Sequence, residues 1–174
     1  MKLATIQRGF TIIEMMVALA VFAILVAIAV PSFKDATLRT NIKSVANELQ
    51  ASSYLARSEA IKRNGVVQLC SSTDGETCDG TAWKNGWIVF FDHPDPAEPD
   101  VVVQRRGAVP HGIEVSDTTG GLTDLDYQPT GFGATVASFK VCRKLPEVGR
   151  EERRVVVDAS GKAYVQKTKE GTCT

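Results

Sequence analysis

Glu14 is the residue most in need of an explanation, because it is the only charge between Phe10 and Val30 and every residue from Met15 to Val30 is apolar. An apolar run of about twenty residues is long enough to cross a bilayer. A carboxylate near one end of such a helix costs roughly 2.5 to 3.5 kcal/mol on insertion scales, so its expected chemistry is ion pairing with a cationic partner. A run with no polar face argues against the core helix of a soluble protein.

Lys2, Arg8 and Gly9 form a short cationic head that ends in a small residue just ahead of the run. A secretory signal peptide is cut after its apolar core, whereas here the break would precede it and leave the helix on the mature chain. Basic residues are retained on the cytoplasmic side, so the remainder is expected to be extracytoplasmic.

That compartment suits Cys70, Cys78, Cys142 and Cys173, an even number that allows two disulfides in any of three pairings. The expected pairing joins Cys70 to Cys78 around the turn-forming segment 71–77, and Cys142 to Cys173, which ties down the C-terminus. Zinc is the competing use of thiols, but Cys-x-x-Cys spacing is absent and His93 and His111 lie far from the cysteines in sequence. No metal and no cofactor is expected. Neither a Gly-rich phosphate loop, a His/Glu metal cluster nor a nucleophile with a recognisable partner motif occurs, so no catalytic residue is assigned and the chain is not expected to be an enzyme. Asp124 and Asp126 alternate with Leu125 and Tyr127 as in an exposed strand rather than a calcium loop. Trp83 and Trp87, with Phe90 and Phe91, read as packing residues.

These groups need elements to hold them. With 174 residues and 44% apolar content, the chain suits one modest globular domain attached to one long helix. Beyond Pro31 the run becomes an amphipathic pattern in which Leu38, Ile42, Val45, Leu49, Ala56 and Ala60 share a stripe, with Lys43, Asn47, Gln50 and Arg57 on other faces. Lys62 and Arg63 suit a helix C-terminus and Asn64-Gly65 supplies the stop, so one helix of roughly 80 Å is expected from Phe10 to about Arg63. Pro31 lies inside it and removes the amide that would bond Ala27, so a kink is expected there; the alternative is a helix boundary at the membrane surface. From Val66 the pattern predicts seven short strands in one or two antiparallel sheets: 66–70, 87–92, 101–106, 113–115, 135–142, 153–158 and 163–167. Asp158 to Lys162 forms a hairpin turn, and His93 to Asp100 a proline-rich acidic loop.

The formal charge is zero, and loss of Lys2 and Arg8 would leave about −2, so overall charge favours no polyanionic partner. The distribution is uneven. Residues 71–127 carry eleven acidic and three basic groups, net −8, whereas residues 140–174 carry nine basic and five acidic groups, net +4, including Arg150, Arg153, Arg154 and Lys162. A basic face can bind phosphates. It can equally be a strand edge that discourages pairing, or a surface on which another subunit's acidic region docks.

Arg8-Gly9-Phe10-Thr11-Ile12-Ile13-Glu14 resembles the class III leader of type IV pilins and type II secretion pseudopilins. The resemblance implies that a membrane aspartyl peptidase, the prepilin peptidase, cuts after Gly9 and that the new N-terminal Phe10 is N-methylated. It also implies that Glu14 faces the amine of a neighbouring subunit during assembly, and it matches Pro31 to a proline of the family. Methylation leaves an amine able to carry charge, and an ion pair lessens the burial penalty of both groups.

Within the globular part, Trp83-Lys84-Asn85-Gly86-Trp87-Ile88-Val89-Phe90-Phe91-Asp92 resembles the Trp-x-x-Gly-Trp-x-Val-Phe-x-Asp block of the GspH/FimT family of minor pilins and minor pseudopilins. Tyr54 to Ala60 resembles that family's helix block, and Gln128-Pro129-Thr130-Gly131 and the hairpin from Val155 to Val165 resemble its later strands. Competence-type members carry Gly-Arg-x-Arg near the C-terminus, where this chain has Gly161-Lys162-Ala163-Tyr164. The implied fold is α+β, a long N-terminal transmembrane and amphipathic helix packed on a C-terminal antiparallel sheet domain. Residues 1–9 would be the leader, 10–30 the membrane span, 31–64 the periplasmic half of the helix and 65–174 the β domain.

The implied function is a minor pilin that primes assembly of a type IV pilus and enters it near the tip. The alternatives are a minor pseudopilin of type II secretion and a DNA-binding minor pilin of a competence pilus, with Arg150, Arg153, Arg154 and Lys162 as the DNA or partner contact. The expected partners are other minor and major pilins or pseudopilins, the prepilin peptidase, the inner-membrane assembly platform and inner-membrane lipid. The expected location is the bacterial inner membrane with the domain periplasmic, then the pilus or pseudopilus.

Overall fold

A computed structural model describes residues 9–95, 97–132, 134–144, 152–169 and 173. Two compact units divide the chain, one ending at Leu38 and the other starting at Arg39, and helix α1, Ile12–Arg63, contributes to both.

In the first unit α1 begins with a side-chain cap: the Thr11 hydroxyl accepts the Glu14 amide at 3.3 Å, and the Thr11 carbonyl accepts the Met15 amide. Ile12–Val30 then forms a span of mean hydropathy 2.8 with no buried residue among those described. The backbone stays helical through Pro31, so no helix boundary falls there.

In the second unit α1 is amphipathic. Ile42, Val45, Ala46, Leu49, Ala56 and Ala60 are buried, while Lys43 and Asn47 are exposed. The helix stops where the sequence runs out of side chains that tolerate only right-handed backbone: Asn64 adopts φ 52° and the Gly65 amide returns to the Ala60 carbonyl. A Cβ on Gly65 would lie 2.6 Å from the Phe91 ring, so glycine is also required by packing.

Eight strands follow among the described residues rather than seven: β1 (Val67–Ser71), β2 (Trp87–Phe91), β3 (Val101–Arg106), β4 (Ile113–Asp117), β5 (Asp124–Tyr127), β6 (Ala137–Arg143), β7 (Glu152–Val157) and β8 (Ala163–Thr168). They build two four-stranded antiparallel sheets, ordered β3-β2-β1-β5 and β4-β6-β7-β8. The extra strand is β5, whose Leu125 and Tyr127 are buried opposite Leu69 and Val67 of β1. Its aspartates alternate outward, so the short polar-looking segment is half core.

The helix is tied to both sheets. Trp87 is fully buried and its indole N–H donates to Ser52 Oγ at 2.9 Å, while Arg106 of β3 pairs with Glu48 at 2.9 Å and lies 5.0 Å above the Trp87 ring. On the other sheet, Gln50 and Tyr54 both donate to the Ala163 carbonyl at the start of β8. Trp83 opens a single 3-10 turn, Trp83–Asn85, and meets Phe139 of β6 edge-on at 4.6 Å, joining the first sheet's connection to the second sheet.

Candidate assembly site

Of the leader block, Gly9 to Glu14 are described. A Cβ on Gly9 would have nothing within 4 Å, and Phe10 is 81% exposed ahead of the helix. Glu14 sits in the first turn of α1, where the helix dipole favours negative charge, and is the only carboxylate of the exposed apolar span. Lys2 and Arg8 lie outside the described residues.

The two disulfides join Cys70 to Cys78 and Cys142 to Cys173. The first anchors an excursion over the outer face of its sheet. Ile88 points away from the helix side of β2 yet is fully buried, and its cross-strand neighbours explain this. On one side Cys70 bonds Cys78; on the other Arg105 donates to the Gly75 carbonyl at 2.6 Å, so loop 71–79 is held across Ile88 from both flanks. Inside that loop Asp74 accepts from the Thr77 and Glu76 amides and from the Thr77 and Ser72 hydroxyls, which hold its carboxyl well below the usual range.

On the second sheet Cys142 neighbours Glu114 on β4, and it shares a face with Lys140, which forms an almost fully buried pair with Glu152 at 3.8 Å. Cys173 is bonded to β6, two strands away from Thr168 at the end of β8.

The basic residues singled out in the sequence are not gathered on one face. Arg153 and Arg154 are consecutive on β7, so their side chains leave opposite faces of the sheet, and β7 is an inner strand flanked by β6 and β8 rather than an edge. Lys162 is exposed in the β7–β8 hairpin, where Asp158 accepts from the Lys162 and Ser160 amides and the Ser160 hydroxyl. Arg150 lies outside the described residues.

Some site residues have no simple signature in the sequence. Arg57 is half-buried rather than on a free face: its Nε–H donates to the Gly131 carbonyl at 2.9 Å, and its side chain packs where a Cβ on Gly161 would sit, fastening the 128–132 turn and the β7–β8 hairpin to the helix. Glu59 is buried beside Lys62 and Arg63; the Arg63 hydrogen bond holds its carboxyl below the usual range against the opposing effect of burial. Tyr127 is pushed up to about 12 by burial, with the Ser53 hydroxyl and the Arg57 charge pulling the other way. Asp117 caps the turn after β4, its carboxylate accepting the amides of Thr119, Gly120, Gly121 and Leu122. The signal for that cap was present as Asp117 followed by Gly120-Gly121. Among the described residues no group of three or more His, Cys, Asp or Glu side chains could hold a metal ion.

Among the described residues, the apolar span Ile12–Val30 has no buried residue and the head carries two disulfides. A family model described as Type II transport protein GspH matches residues 45–161, and one described as prokaryotic N-terminal methylation motif matches residues 5–30. A fimbrial protein of Pseudomonas aeruginosa is 35% identical over 68 residues, 39% of this chain and 44% of its own length. A fimbrial protein of Neisseria meningitidis is 36% identical over 92 residues, 48% of this chain and 54% of its own. The chain thus spans only about half the length of the curated relatives it matches.

Among solved structures, the P. aeruginosa type IV minor pilin FimU superposes with TM-score 0.57 at 17% identity, covering 75% of this chain and 91% of that one. The minor pseudopilin EpsH of the Vibrio cholerae type 2 secretion system superposes with TM-score 0.51 at 14% identity, covering 76% and 99%. At these identities the likeness establishes the fold. Its apolar N-terminal helix, its paired antiparallel sheets and a family match over most of the head make the chain a member of the GspH family of minor pilins and pseudopilins.

Proposed function

We propose that the chain is a minor pilin that primes assembly of a type IV pilus and is incorporated into it. The carrying observation is the exposed apolar span Ile12–Val30 with Glu14 as its only charge, directly after Gly9 and Phe10. The prepilin peptidase would remove residues 1–9 and methylate Phe10, leaving residues 10–30 as the inner-membrane span and presenting residues 31–64 and the β domain outside. In the filament the span leaves lipid for the helices of neighbouring subunits. A cationic Phe10 amine on a neighbour would then offset the cost of burying the Glu14 carboxylate and set the register between the two helices. The fimbrial names of the relatives matching this chain, and the likeness to FimU, support the pilus over other filaments.

A second reading, a minor pseudopilin of type II secretion, is favoured by the fold shared with EpsH and by the description of the family itself. A clean deletion strain separates the two. Loss of sheared surface pili with normal protein release is expected; normal pili with exoproteins trapped in the periplasm would make the chain a secretion pseudopilin instead.

A further inference from the structure

We infer that the outer edge of β8 is a docking rail, to which a strand bearing acidic side chains from a different pilin-like subunit adds as a fifth strand of the second sheet. The inference rests on the filament reading for the kind of partner the head meets. The phase of the ladder fixes which groups of β8 face outward. The Asp158 amide donates to the Lys162 carbonyl at 3.1 Å, so the hydrogen-bonded pairs along β7 and β8 are Val156–Tyr164, Arg154–Gln166 and Glu152–Thr168. Ala163, Val165 and Lys167 therefore turn their amides and carbonyls away from β7. The helix occupies only the first of these positions, where Gln50 and Tyr54 donate to the Ala163 carbonyl at 3.0 and 2.7 Å. Among the described residues, no hydrogen bond reaches the outward amides and carbonyls of Val165 and Lys167. A row of such groups is what an added strand pairs with.

The other sheet edges are less open. β3 pairs with β2 through a register shift between Val89 and Phe90, which turns an edge away from a straight partner. Along β5, the Thr135 amide donates to the Asp126 carbonyl and the Asp126 amide to Thr135 Oγ1. On β4, Ile113 and Val115 are buried. β8 instead runs in unbroken register with β7, with Gln166 and Lys167 exposed and Val165 half-buried.

Charge selects the occupant. Residues 159–169 include Lys162, Lys167 and Lys169, all exposed, and no acidic residue. A second β8 laid alongside would bring two sets of lysines together, and like charges across a ladder destabilise it. A strand with Asp or Glu at those positions gains where a second copy loses. Nucleic acid could use the lysines but would leave the backbone groups of Val165 and Lys167 unpaired. The edge thus disfavours its own kind and suits an acidic strand from another subunit.

The test co-expresses the full chain with each other pilin or pseudopilin subunit of its own cell in turn and reads amide hydrogen exchange at single residues in the detergent-solubilised membranes. With one of those subunits the amides of Val165 and Lys167 should exchange at least tenfold more slowly, while those of Gln166 and Thr168, already bonded to β7, change little. Lys167→Pro removes one outward amide on the side of an edge strand where proline is tolerated, and should abolish co-purification of that subunit. Lys167→Ala keeps the amide and should retain it, whereas Lys162→Glu/Lys167→Glu/Lys169→Glu should weaken it at least tenfold. Urea midpoints of the free variants check that they fold, and the exchange pattern of the unaltered chain decides the matter even where a variant does not. No slowing at Val165 and Lys167 with any subunit, a complex that survives Lys167→Pro in a folded chain, or the same slowing produced by a second copy of the chain or by a DNA duplex would each overturn the inference. Failure of the filament reading shows separately, as a deletion strain with normal pili and normal protein release.

Discussion

Opening the Cys142–Cys173 bridge should cost more stability than opening Cys70–Cys78, and the difference can be worked from the loops they close. A disulfide acts largely by restricting the unfolded chain, with a loop-closure entropy that grows with the logarithm of loop length. For sequence separations of 31 and 8 the stabilisations come to about 3.7 and about 2.5 kcal/mol at 25 °C. The substitutions of choice are Cys173→Ser and Cys78→Ser, because Cys142 and Cys70 are buried and are best left as small apolar thiols, whereas Cys78 is exposed and Cys173 half-exposed. Urea unfolding of the full chain in detergent micelles can be followed by Trp83 and Trp87, both buried in the head. With a denaturant slope of about 1–3 kcal/mol/M, the gap of about 1.2 kcal/mol separates the two midpoints by roughly 0.4–1.2 M, Cys173→Ser being the lower. A midpoint for Cys78→Ser equal to or below that of Cys173→Ser would refute the reasoning and place the stabilisation in native contacts, such as the cover that loop 71–79 gives Ile88.

Asp117→Asn should destabilise the head by about 1–3 kcal/mol at neutral pH, because it weakens a carboxylate that accepts four backbone amides. Burial raises the Asp117 carboxyl, but the Thr119 hydroxyl and the Leu122, Thr119 and Gly120 amides outweigh it and hold it below the usual range. A depressed folded value stabilises above the unfolded value of about 3.9 and is lost as pH falls through the folded one, so urea midpoints of the two proteins should converge in acid. Gly86→Ala should cost at least about 2 kcal/mol in the same assay, since φ is 129° and a Cβ would lie 2.5 Å from the Arg106 carbonyl oxygen and 2.9 Å from that of Ser72. Arg57→Ala should cost about 1.5–3 kcal/mol by stranding the Gly131 carbonyl, and hydrogen exchange should speed in the 128–132 turn and the β7–β8 hairpin. Glu14→Ala should leave membrane levels of the chain unchanged while reducing its recovery in sheared filaments, which quantitative blotting of the two fractions would show.

Local pattern made much of this fold readable. The apolar run, the amphipathic stripe and Asn64-Gly65 define α1 to within two residues at its start, and Val101–Arg106 is a strand in both sequence and structure. The alternation of Asp124 to Tyr127 reads as an exposed strand, but over four residues it is too short to enter the seven-strand count, and the burial of Leu125 and Tyr127 is not visible locally. The pairing of β5 with β1, more than fifty residues away, is a tertiary fact with no local trace. Arg57 reads as a solvated helix residue until the fold brings the Gly131 carbonyl to it, and Lys84, Glu114 and Lys144 come together only because β4 and β6 pair beside the Trp83 turn. By contrast Gly9, Phe10 and Glu14 stand out in sequence because their surroundings are contiguous in the chain.

The most direct test of a prepilin-derived filament subunit is mass spectrometry of the N-terminus of the chain recovered from membranes and from sheared filaments. The account predicts a peptide that starts at Phe10, carries one added methyl group and is present in both fractions. A chain that retains residues 1–9 in both fractions, or a mature form absent from filaments of every kind, would contradict it.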